Sequence, residues 1–166
     1  IPSLSYEQLT AFYRSHYHPS NAIFMTFGDI PAEEHQAVFE ERALGRFEKL
    51  DEHIAVTPEQ RFAAPKRVTA PYAYDEGDEL AGKTHVVLGW MLGESADLEA
   101  MLEAQLLTSV LLENSASPLQ HALETTDLGS APSPLCGLED GMREMVFCCG
   151  IEGSEAEHAD AIEALV

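Results

Sequence analysis

Basic residues are what this sequence has least of relative to their counterparts: nine Lys and Arg stand against 29 Asp and Glu, a formal net charge of −20. That balance repels phosphate backbones, so nucleic acid is excluded as a partner, and cationic partners such as basic peptides suit the field better. The plainer account of the same charge is a solvated acidic surface with no particular partner. Cysteine is scarce as well. Cys136, Cys148 and Cys149 make no even set and no C-x-x-C pair, which supports neither a disulfide framework nor a thiolate zinc knuckle and suggests a reducing compartment; the expected setting is cytoplasmic, with an organelle matrix or the periplasm as alternatives. No run approaches the roughly 18 apolar residues that cross a bilayer, and no basic start leads into an apolar stretch, so neither membrane insertion nor a secretion signal is expected.

What is present is a chain of 166 residues, 45% hydrophobic, long enough to bury a core and to form one domain or parts of two. It opens at Ile1 and closes at Val166 inside a helix-like run (Ala159, Ile162, Leu165), which reads as an internal piece of a longer polypeptide. Helix starts are well marked. Ser5 with Gln8 forms a capping box, Leu4 and Leu9 can staple it, and Leu9, Phe12, Tyr13, His16 and Tyr17 line one face before Pro19 stops the helix. Ala22–Phe27 reads as a short buried strand closed by Gly28-Asp29, and Pro31 with Glu33 and Glu34 opens a second helix running to about Phe47.

From Lys49 to Lys66 the periodicity fades around Pro58 and Pro65, which marks a connector. Strands are expected over 67–74 and 83–92, with Thr84, Val86, Leu88, Trp90 and Leu92 sharing a face. Between them Asp75, Glu76, Asp78 and Glu79 lack the spacing of a calcium loop and read as a solvated turn. Asp97 caps a long helix with an apolar stripe of Leu98, Met101, Leu102, Leu106, Val110 and Leu111, which reads as packing on a sheet. Ser117, Pro118 and Gln120 signal another helix, 142–151 another strand, and Ser154 with Glu157 a capping box before the last helix. Cys148 and Cys149 in that strand should face opposite sides as small hydrophobes. The expected class is α/β of the α+β type: largely antiparallel sheet pieces with helices on one face.

A helical zinc site of the H-x-x-E-H kind needs two imidazoles one turn apart beside a carboxylate. Three stretches approach it: Pro31–His35, His121–Thr125 and Ser154–His158. Each lacks one imidazole, and Pro, Thr and Ser are poor replacements. His16 and His18 are two apart and read as an apolar face and a turn bond rather than a metal pair. There is no G-x-S-x-G elbow, and Gly150-Ile151-Glu152-Gly153 lacks the pattern of a nucleotide loop.

The string Ile1–Leu9, followed by His16-Tyr17-His18-Pro19-Ser20-Asn21-Ala22 and Gly28-Asp29, resembles the pitrilysin/insulinase superfamily of zinc metallopeptidases, and within it the presequence-protease-like branch. Leu111–Leu119 after the Trp90 strand is similar to the same branch, so the resemblance covers nearly the whole chain. It implies an enzyme of four related units in two halves that close around a chamber where unfolded peptides are cut. Residues 1–50 would finish the first unit, 51–65 connect, and 66–166 begin the second, noncatalytic one. The implied zinc ligands fall upstream of Ile1 and the substrate-orienting residues beyond Val166. Catalytic, cofactor-binding and metal residues in this chain are therefore none; zinc belongs to the parent, and the partners are unfolded or basic peptides and the remaining units of the same polypeptide. The alternative is a piece of a ligand-less scaffold or peptide-binding homologue, and a blander one an unrelated acidic α/β domain.

Overall fold

The computed structural model describes residues 3–51, 54–73, 75, 77 and 79–166. Ile1, Pro2, Tyr74, Glu76 and Asp78, which figure in the sequence expectations, lie outside them. The chain divides into two units, Ile1–Thr57 and Pro58–Val166.

In the first unit, α1 (Tyr6–His16) begins where expected: Ser5 Oγ accepts the Gln8 amide at 3.2 Å, and Gln8 Oε1 accepts the Ser5 amide at 2.9 Å. Its aromatic face stays exposed, with Phe12 stacked on His16 and Tyr13 on Tyr17. The expected strand at 22–27 takes no ladder partner among the described residues. A strand is stable only through pairing, and here Phe24 packs on Phe39 while Ile23 and Met25 are 93% and 88% exposed. Helix α2 (Ala32–Arg42) carries Glu33 and Glu34 in its first turn but stops short of Phe47, giving way to a 3-10 turn at Leu44–Arg46. Gly45 permits that tightening, since a Cβ there would stand 2.9 Å from the Glu40 carbonyl oxygen.

The second unit is built on an antiparallel sheet of β1 (Thr84–Glu94), β2 (Ala131–Pro132), β3 (Gly137–Glu139) and β4 (Glu144–Ser154), in the order β1-β4-β2 with β3 also on β4. The two long strands pair in register from Thr84↔Ser154 to Glu94↔Glu144, with irregularities near each end. The strand expected over 67–74 forms no ladder among its described residues; Pro65 precedes it and Pro71 lies within it, and neither offers an N–H to one. Strands β2 and β3 carry no sequence signal, because they are short pieces in a Gly-, Ser- and Pro-rich stretch.

Among the described residues three α-helices complete the unit: α3 (Leu98–Leu112), α4 (Pro118–Thr125) and α5 (Ala159–Leu165). The Asp97 carboxylate caps α3 by accepting the Glu99 and Ala100 amides at 3.1 and 3.2 Å. Of the expected α3 stripe, Met101 and Leu111 are half-buried, whereas Leu98, Leu102, Leu106 and Val110 are exposed, and the buried position is Ala104. Small residues decide this, because Gly93 lets the helix approach to where a Cβ would be 3.4 Å from Ala100 Cβ. Pro118 opens α4, but Ser117 makes no side-chain cap and Gln120 bonds to Glu124 at 2.6 Å instead. Ser154 likewise donates to the Leu128 carbonyl rather than entering a capping box, and a 3-10 turn at Ala156–His158 leads into α5. Leu123, Cys149, Ile151 and Ile162 form the core, flanked by Val86, Leu88 and Phe147 on the helix-covered face. Cys148 lies on the opposite face, in reach of Gly89 and beside Val146.

Candidate apolar groove and the placement of the histidines and thiols

The second unit has an open groove of ≈550 Å³ between sheet and helices. Trp90 and Phe147, cross-strand partners with rings 6.0 Å apart, supply the sheet wall. Ala104 and Leu111 of α3, Leu119 of α4 and Val166 supply the facing wall. The sequence located the Trp90 face but not the groove; the signal it carried was the small-residue series Ala100, Ala104 and Thr108, which brings α3 down on the sheet. Thr108, the polar exception in the lining, spends its hydroxyl on the Ala104 carbonyl at 2.8 Å. The groove can therefore offer apolar contact but no positioned acid, base or nucleophile.

Its one thiol is not a nucleophile either. Burial first, then the neighbouring Cys136 and Cys148 thiols, push Cys149 up to about 11. Cys148 is raised for the same first reason, with Cys136 and Glu139 adding to it. Both remain protonated at neutral pH, which makes them inert packing groups. Cys136 has a structural use: its sulfur accepts the Gly150 amide at 3.4 Å and donates to the Gly150 carbonyl at 3.6 Å. It plugs the break in the ladder on β4 where Ser133–Cys136 turns between β2 and β3.

The three near-matches to a zinc motif are taken up locally. His35 lies along Phe39 on α2. On α4, Glu124 accepts the Gln120 amide, and that bond, followed by one from Ser115, holds its carboxyl below the usual range. Thr125 donates its hydroxyl back to the His121 carbonyl at 2.7 Å. His158 Nδ1–H donates to the Leu128 carbonyl at 3.2 Å. His16 bonds within its own helix to the Phe12 carbonyl and Ser15, and His18 caps the turn at Ser20. Among the described residues no group of three His, Cys, Asp or Glu side chains stands close enough to hold a metal ion. No helix among them is long and apolar enough to cross a membrane.

Comparison with known proteins places these features. The family profile described as the peptidase M16 inactive domain matches residues 3–166. The mitochondrial presequence protease of Xenopus tropicalis is 33% identical over 167 residues, covering 100% of this chain and 16% of that protein. The mitochondrial presequence protease of Mus musculus is 32% identical over the same shares, and that of Schizosaccharomyces pombe 28% identical over 100% of this chain and 17% of its own length. The chain thus spans about a sixth of the length of the curated relatives it matches.

Proposed function

This chain belongs to the peptidase M16 family, by its inactive domain, and from that premise we propose that it is a noncatalytic part of a zinc-dependent peptidase that degrades unfolded peptides inside a closed chamber. The observation that carries the reading is the continuous match to the inactive domain along residues 3–166. The groove supports it, since its apolar walls and protonated thiol suit packing rather than chemistry. In this reading residues 1–50 finish one unit, 51–65 connect, and 66–166 begin the noncatalytic unit that helps shape the chamber. No catalytic or metal-binding side chain is assigned to these residues; zinc and its ligands belong to the rest of the polypeptide.

The partners proposed are unfolded or basic peptides, reached through the parent enzyme, and the other units of the same chain. The net charge of −20 supports the basic preference. For the compartment, the reducing setting suggested by three free cysteines is proposed as cytoplasmic; the relatives' names include the word mitochondrial, and an organelle matrix is the setting that cell fractionation would have to separate from it.

Elemental analysis beside a quenched-peptide assay tests the assignment. The parent should carry zinc and cleave, while the 166-residue chain should hold less than stoichiometric zinc after dialysis and cleave nothing. Tight equimolar zinc on the chain would overturn the site reading, and a parent with neither zinc nor activity would move the protein to the scaffold reading.

A further inference from the structure

We propose that residues 58–72 act as a strap that closes the outer edge of β1, with Glu144 as its latch. Strand β1 is 11 residues long and pairs with β4 on one side; among the described residues it has no ladder on the other. Such an edge, with Val87 and Met91 exposed on one face, is a template for a further strand and needs covering.

The segment before it passes in the opposite direction. Near its start, the Arg61 guanidinium donates to the Leu92 carbonyl at 2.6 Å, at the far end of β1. Near its finish, the Tyr72 hydroxyl donates to the Lys83 carbonyl, just before the near end. Between them Arg67 reaches Asp160 and Glu163 of α5 at 3.4 and 2.5 Å. Three anchors in this order place 58–72 antiparallel to β1. The prolines explain why it covers the edge without becoming part of the sheet. Pro58, Pro65 and Pro71 interrupt any run of donors, and proline on an edge also blocks the next strand.

The strap is held by polar groups, because Phe62 and Val68 remain exposed and give it no apolar root. Of its ion pairs, those of Arg67 are between well-exposed side chains and hold weakly. Glu144 is different: its side chain is 10% exposed, and it accepts both the Arg61 guanidinium at 2.8 Å and the Glu59 amide at 2.5 Å. A shielded carboxylate taking two donors from one segment is the contact that decides whether the strap stays down.

Hydrogen–deuterium exchange on the 166-residue chain tests this. Arg61→Ala alters no residue of the sheet, and Glu144→Gln keeps the shape of the latch without its charge. Both should speed exchange of β1 amides about tenfold while amides at the centre of β4, which is covered on both sides, keep their rates. Arg67→Ala should leave β1 within about twofold. Unchanged β1 exchange in Arg61→Ala, or equal acceleration of β1 and β4, would overturn the strap.

Discussion

Gly150 shows how much one position decides here. A Cβ on it would lie 2.0 Å from the Val86 carbonyl oxygen and 2.8 Å from Val87 Cα, both backbone atoms of the facing strand. Neither can yield without parting β1 from β4. Gly150→Ala should cost about 3 kcal/mol or more, read as a lowered denaturation midpoint of the second unit. Its neighbour Cys149 makes a different prediction. The thiol is raised from its ordinary value near 9 to about 11, burial being the main cause. The folded state therefore holds the proton more tightly than the unfolded state, and the stabilisation is complete below pH ~9 and is lost as pH rises through ~11. Compared with Cys149→Ala, which has no thiol to titrate, the unaltered chain should lose stability across that window in urea titrations. Parallel pH profiles for the two would disprove the assignment.

At the scale of elements, the test case is α3, because it is apolar around most of its circumference and could lie on several faces. The structure buries Ala104 and turns Leu106 outward. Leu106→Glu should then stay within about 0.5 kcal/mol of the unaltered chain, whereas Ala104→Leu should cost about 1–3 kcal/mol by overpacking the approach to the sheet; thermal denaturation of both variants checks the pair. The same helix shows what could be read beforehand. Its start was legible because Asp97 has one thing to do, accept the first free amides, and the same holds for Ser5. The alternation from Thr84 to Leu92 likewise announced β1. Residues 22–27 and 67–74 carry equally β-rich sequence and form no ladder among the described residues, since pairing depends on a neighbour that local sequence does not contain. Ser154 failed as a cap for a related reason: the Leu128 carbonyl, 26 residues away, claimed its hydroxyl. The groove was hidden similarly, because its walls come from elements far apart in sequence.

For the molecule as a whole, two opposing surface terms set its behaviour in solution. Large apolar side chains are exposed in both units, Ile23, Met25 and Phe27 in the first and Leu98, Leu102 and Leu106 in the second. Exposed apolar surface of this kind can draw copies together or mark a face that other polypeptide covers, which accords with a chain spanning 16% of its relatives. Against it stands a net charge of −20 on 166 residues, which pushes copies apart over about 10 Å at 0.1 M salt and over about 3 Å at 1 M. Apolar attraction is not screened, so salt removes the opposing term alone. Sedimentation velocity should accordingly show self-association that grows as sodium chloride rises from 0.05 M to 1 M. Ile23→Ser with Met25→Ser should reduce it, because those side chains contribute to the attraction and carry no charge. A monomer at every salt concentration would mean the exposed faces are too scattered to associate, and association that weakens with salt would mean that charge pairs, not apolar faces, hold the copies together.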